Sequence, residues 1–258
     1  GLAMMIAAAF LDYNVYRAYY KVIYLINVGL LALVMVVGKV RNGAESWFGI
    51  GSLGIQPSEF MKISLIIVFA KKIEENEGNL NNFKNLAVLC AYAAVPLGLI
   101  LAEPDLGTAM VFVVIIIGML FMGGLNLRIF ITSALAIAAV VLTLYYSPVQ
   151  ILKPHQRARI ESFFNPSADP LNSDYQINQS KIAIGSGEFL GMGFENGLQN
   201  KGNYVPYSYT DFIFAVIGEE FGFVGSAVLI LLYTMMTFRC LKVVHVAKDR
   251  FGSTVVVG

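Results

Sequence analysis

The sequence predicts an all-α protein, a polytopic bundle of transmembrane helices joined by one long extracellular loop that holds short helices. Three observations carry this. Apolar residues make up 57% of the 258-residue chain and charged residues only 14%, with a mean hydropathy of +0.68, a balance too apolar for a soluble domain. Apolar stretches recur near residues 22–38, 60–73, 86–102, 106–122, 127–147 and 212–238. Each is long enough, or nearly so, to cross about 30 Å of hydrocarbon as a helix. The basic residues of the short loops also fall on one side of these stretches, as the positive-inside rule requires.

The elements follow in order. Residues Gly1 to Leu11 are apolar, with no charged n-region and no small-residue cleavage site, and read as the end of a truncated span. The run 22–38 follows a polar turn. The next loop, Asn42 to Ser58, holds Trp47, the single tryptophan, a residue type enriched at membrane interfaces. The run 60–73 is short and needs Gln56 to Glu59 as its first turn. Glu103-Pro104-Asp105-Leu106-Gly107 joins two spans with almost no loop: Pro104 forces the bend and Asp105 is placed to cap the next helix.

The segment 148–210, between spans at 127–147 and 212–238, is too long for a bare connection and reads as functional. Its first part, His155 to Phe164, sets apolar residues among basic ones, the pattern of an interfacial amphipathic helix. Its second part holds Gly185, Gly187, Gly191, Gly193, Gly197 and Gly202, so the backbone there bends tightly and approaches a ligand closely. The tail from Ala247 reads as the beginning of another span. Residues 1–258 thus form a single membrane domain, incomplete at its ends.

With Asp12 to Lys21 placed in the cytoplasm, Arg17, Lys21, Lys71, Lys72, Lys84, Arg128, Arg239, Lys242, Lys248 and Arg250 all lie inside, and the short outer loops hold only Lys39 and Arg41. The 148–210 loop then lies outside. A formal net charge of +1 with no basic run excludes a nucleic-acid partner. Cys90 and Cys240 are far apart and read as packing residues rather than a disulfide. No His, Cys and carboxylate set has zinc-ligand spacing.

Asp211 is the leading candidate for chemistry. It stands where the polar loop turns into an apolar helix that also carries Glu219 and Glu220. An ionisable group in a span costs about 2.5 to 3.5 kcal/mol and marks a functional site by default. A helix cap is the plainer reading, since aspartate is a preferred capping residue. Glu219 lies about 12 Å deeper at 1.5 Å per residue, and two adjacent glutamates there cannot both face lipid, so at least one must be paired, hydrogen-bonded or protonated. Glu59 and Lys62, three apart, share a helix face; they form either a structural ion pair or the lining of a polar cavity open to the outside. Arg157 and Arg159, before Phe163 and Phe164, are either interfacial anchors or, through their planar forks, a phosphate grip.

Together these segments resemble the SEDS family of bacterial cell-wall polymerases, whose members include RodA, FtsW and SpoVE. The residues that carry the resemblance are Trp47; Gln56-Pro57-Ser58-Glu59-Phe60-Met61-Lys62; Pro104-Asp105-Leu106-Gly107-Thr108; Gln156-Arg157-Ala158-Arg159-Ile160; Gln179-Ser180-Lys181-Ile182-Ala183-Ile184-Gly185-Ser186-Gly187; and Thr210-Asp211-Phe212-Ile213-Phe214-Ala215. The stretches Ser180 to Gly187 and Asn203 to Pro206 are more similar to the elongation members, RodA, than to FtsW. The resemblance implies a ten-helix membrane fold in the bacterial plasma membrane, with its active face extracytoplasmic. It further implies a peptidoglycan glycosyltransferase that polymerises lipid II in cell elongation and shape maintenance, beside a class B penicillin-binding protein transpeptidase. By that similarity Asp211 matches the family's essential aspartate and Glu59 and Lys62 its buried charged pair, while Trp47, Asp105 and Gln179, in its matching segments, are further substrate-binding or cavity candidates, Asp105 either in that role or as a cap alone. Two departures stand out: Pro206-Tyr207-Ser208-Tyr209-Thr210-Asp211 replaces the usual Pro-Glu-x-His-Thr-Asp, and the family's first span and last two are not in these residues.

The expected reaction is glycosyl transfer between two lipid-linked disaccharides with inversion at the donor anomeric carbon, Asp211 taking the acceptor hydroxyl's proton. The charge of the pyrophosphate leaving group requires a cation: Arg157, Arg159, Lys62 or a divalent metal, Mg or Mn. Two readings from other classes stand beside it: a flippase for lipid-linked precursors, and a noncatalytic activator of a penicillin-binding protein. Transporters commonly carry internal repeats, and none is visible.

Overall fold

The computed structural model describes residues 2, 5–6, 10–41, 44–50, 53–103, 105–146, 173–205 and 208–258. The chain divides into two compact units, one of Gly1–Ser133 with Arg239–Gly258 and one of Ala134–Phe238.

In the first unit, α1 (Tyr13–Val37) starts at Asp12, whose Oδ1 accepts the Asn14 amide at 2.9 Å. It ends at Gly38, which leaves in extended conformation. β1 (Lys39–Arg41), β2 (Ala44–Ile50) and β3 (Leu53–Ile55) form an antiparallel sheet in that order. α2 (Pro57–Glu75) has proline at its first position, where the missing amide is no loss. α3 (Phe83–Ala102) is capped by the Asn82 side chain. α4 (Leu106–Met122) is capped by Asp105, and α5 (Leu127–Tyr146) follows.

α2 is the centre of this unit. Met61, Leu65, Val68, Phe69 and Ile73 are all fully or almost fully buried, and α1, α3, α4 and the last helix, α9 (Arg250–Val257), all pack on it. Its charges sit only at its two ends, Glu59 and Lys62 at one and Lys71, Lys72, Glu74 and Glu75 at the other. A helix walled by protein on its apolar length needs no lipid-facing stripe. α1 joins α3 through Tyr24, whose hydroxyl donates to the Tyr92 carbonyl at 2.9 Å while the rings meet edge-on with centroids 5.1 Å apart. At the other end Arg17 pairs with Glu74 at 2.6 Å and with Asp249 at 3.3 Å, and Asp249 caps α9 through the Gly252 amide.

In the second unit, α6 (Ser173–Ser186) leads into a loop, a single turn α7 (Leu198–Lys201), and α8 (Ile213–Val246). α8 is broken at Gly222, with φ 63° and ψ −157°. A break orphans backbone groups on both sides of it. The loop takes them up: the Met192 and Gly193 amides donate to the Glu219 and Glu220 carbonyls at 3.0 Å each, and the Phe223 and Val224 amides donate to the Glu188 and Phe189 carbonyls at 2.9 and 3.2 Å.

All six apolar stretches are helices, and three of these, α1, α3 and α8, are by themselves long and apolar enough to cross a membrane among the described residues. α2 fails because of its terminal charges and α4 because it is short, with 17 residues. Two expectations change. The Asn42–Ser58 loop is largely sheet, and Asn42-Gly43 between β1 and β2 is the hairpin signal that points to it. Cys90 and Cys240 are free, as expected, but exposed rather than packed. The tail is a helix whose Phe251 and Thr254 are buried in the first unit. Of the first apolar run, residues 2, 5, 6 and 10 are helical, and the rest lies outside the described residues.

Candidate active site

The entrance of α2 holds one half of the candidate residues. Lys62 Nζ stands 2.8 Å from Glu59 Oε2, the i,i+3 pairing expected from their spacing. The pair is not buried: the Glu59 side chain is 56% exposed and that of Lys62 24%. In this chain Glu59 stands on the outward face of α2 with the exposed Phe60 and Ile63, while Pro57, Ser58 and Met61 of the same turns are buried, so the buried pair implied by the resemblance is not seen here. Asp105 fills the capping role. Its Oδ1 accepts the Thr108 amide at 3.0 Å and its Oδ2 the Thr108 hydroxyl at 2.7 Å. The same Oδ2 also accepts from Gln56 Nε2 at 3.3 Å, which ties the start of α4 to the start of α2. Gln56, placed by the sequence in the first turn of α2 and in a matching segment but not among the candidate site residues, is thus a site-building residue as well. Trp47 lies on β2, its backbone paired with Lys39.

The second unit holds Asp211, in the turn that precedes α8. It is exposed, and among the described residues no hydrogen bond reaches its carboxylate, so the capping role is not seen. Glu219 is fully buried. Its Oε1 accepts the Gln199 amide at 2.7 Å and its Oε2 the Asn200 amide at 3.1 Å, which meets the requirement that a buried carboxylate be hydrogen-bonded. Glu220 is buried beside it. Gln179 is half-buried on α6. The glycine-rich loop does bring backbone into close approach to α8. An apolar cleft of about 640 Å³ spans the break, lined by Ile184, Phe214, Gly222, Phe223, Ala227 and Ile230, with Glu188 also in its lining.

Arg157, Arg159 and His155 lie outside the described residues, as does the amphipathic segment that holds them. Among the described residues no three His, Cys, Asp or Glu gather to hold a metal ion.

The chain matches, over residues 1–258, the family described as cell cycle protein, FtsW/RodA/SpoVE. It is 38% identical over 263 residues to stage V sporulation protein E of Bacillus subtilis (strain 168), covering 100% of this chain and 70% of that protein. It is 33% identical over 258 residues to the peptidoglycan glycosyltransferase MrdB of Escherichia coli (strain K12), covering 100% of this chain and 69% of that one. Among solved structures it superposes, with a TM-score of 0.80 and 28% identity, on a chain of a peptidoglycan synthase complex solved for the structural coordination of polymerization and crosslinking; 99% of this chain and 70% of that chain are covered.

Proposed function

For this chain, which belongs to the FtsW/RodA/SpoVE family of cell cycle proteins, we propose the activity of a peptidoglycan glycosyltransferase that polymerises lipid II during cell elongation. It is a multi-pass membrane protein, and its active face is proposed to be extracytoplasmic, with a class B penicillin-binding protein as partner transpeptidase. Likeness to MrdB and to the synthase complex supports the reaction. The observation that carries the site is Asp211: an exposed carboxylate at the start of a membrane helix, free of any described hydrogen bond and so available to a substrate.

The acceptor sugar hydroxyl attacks the anomeric carbon of the donor as the pyrophosphate leaves from the opposite face. Asp211, as general base, takes the hydroxyl proton. A positioned base of this kind contributes roughly 10²- to 10⁴-fold. The negative charge that grows on the leaving pyrophosphate is met by Lys62, Arg157 or Arg159, the arginines through bidentate hydrogen bonds. A divalent metal, Mg or Mn, is the other candidate for meeting this charge.

Purified full-length protein incubated with fluorescent lipid II in detergent tests the reading. Glycan polymer is expected from the parent, and none from Asp211→Asn, which keeps the size of the side chain and removes the base. Near-parental polymerisation by that folded variant would sink the base assignment. Movement of lipid II only in sealed vesicles would instead establish a flippase, and activity that arises only in an added penicillin-binding protein would establish an activator.

A further inference from the structure

Glu219 is a charged group with no place in the transfer step, yet it is wholly buried. Taking a carboxylate out of water is costly unless its partners are well placed. Both its oxygens are spent on consecutive backbone amides, Gln199 at 2.7 Å and Asn200 at 3.1 Å. The contact is close on the loop side as well. A Cβ added at Gly197 would stand 2.5 Å from Glu219 Oε2 and 2.6 Å from its Cδ.

What Glu219 grips leads toward Asp211. The Gln199 carbonyl, on the residue whose amide is held, accepts the Tyr204 amide at 3.0 Å. The next residue, Val205, is buried in a small cluster with Ala183 and Ala215, against which Phe212 packs. The segment 197–205 is thus fastened to the first turns of α8 at two points, Glu219 and Ala215, with Phe212 the direct neighbour of Asp211.

We propose that Glu219 is a positioning residue for glycosyl transfer: its carboxylate clamps the 197–205 segment onto α8 and thereby sets the geometry in which Asp211 meets the acceptor hydroxyl. The role rests on the reading of Asp211 as general base. Displacement of a base by about 1 Å is enough to cost up to 10²-fold in rate, so the role predicts a loss in kcat.

The test uses the full-length protein with Glu219→Gln and Gly197→Ala, singly and together. Glutamine keeps the length but turns an N–H group toward a backbone donor, and alanine at Gly197 pushes on the clamp from the other side. Each is expected to lower kcat about tenfold, with KM for lipid II held within about twofold. The double variant is expected to be no worse than the poorer single one, since both break the same contact. Hydrogen exchange should quicken at the 198–205 amides and hold along α8. Parental kcat despite faster exchange at 198–205, KM rising with kcat unchanged, or additive losses in the double variant would each overturn the role. If one variant fails to fold, the other gives the same kcat, KM and exchange readings. A parent that makes no polymer sinks the glycosyltransferase reading and the positioning role with it; active clamp variants beside an inactive Asp211→Asn sink the positioning role alone.

Discussion

Lys62 and Glu59 meet on the outward face of the first turns of α2. With Glu59 56% exposed, their attraction is weakened by solvent, and exposed pairs contribute about 0.2 to 1 kcal/mol. Glu59→Ala and Lys62→Ala are therefore each expected to lower the melting temperature in detergent by no more than about 4 °C. Polymerisation should fall further than stability if the pair lines the substrate cavity, and Lys62→Ala more than Glu59→Ala if the ammonium faces the leaving pyrophosphate. Thermal denaturation and turnover measured on the same samples check this. A much larger loss of stability in either single variant, recovered in the double one, would show the pair enclosed in the full-length protein. Asp105 carries a different lesson: its capping was legible because a cap is a local interaction three residues long, but its bond to Gln56, 49 positions away, was not.

At the scale of elements, the break in α8 is the decisive feature. Gly222 adopts φ 63° and ψ −157°, a region that is essentially glycine-only. A Cβ there would meet the Gly191 amide nitrogen, the Gly187 carbonyl oxygen and the Leu190 carbonyl carbon, all backbone atoms that cannot swing aside. Gly191 itself sits at φ +83° with the Glu220 carbonyl against it. Gly222→Ala is expected to destabilise the protein by about 3 kcal/mol or more, from strain and displaced backbone together. Thermal unfolding in detergent, with exchange at the Met192 and Gly193 amides as a local probe, checks the cost; a variant as stable as the parent would show that α8 can run straight without the loop. The sequence shows a glycine-rich loop and an apolar helix as separate features. That the loop repairs the helix's hydrogen bonds follows from the lack of water in hydrocarbon to do so.

At the scale of the molecule, the first unit is closed by Arg17, which reaches Glu74 at the end of α2 and Asp249 at the start of α9 and lies over the Phe251 ring at 5.9 Å. One guanidinium thus holds three helices distant in sequence. Arg17→Ala is expected to cost roughly 1 to 2 kcal/mol, less than a buried pair because Arg17 keeps 34% exposure and Glu74 retains Lys71. Arg17→Lys should recover only part of this, since a point charge does not span two carboxylates. Melting temperatures of the three proteins decide it, and a lysine variant equal to the parent would show that charge alone suffices.

The helical class, the places of the apolar helices, the cap at Asp105 and the Glu59–Lys62 contact are legible in the order of residue types alone. Each rests on hydrogen bonds or spacings within a few residues, or on the rule that a backbone in lipid satisfies itself. Packing in three dimensions makes charged-ended α2 the centre of its unit, breaks α8 at Gly222, and lets Glu219 hold Gln199 and Asn200 from 20 and 19 positions away. Those depend on which segments come to lie against one another, and no local pattern of residue types encodes the partner of a buried carboxylate or the wall of a buried helix.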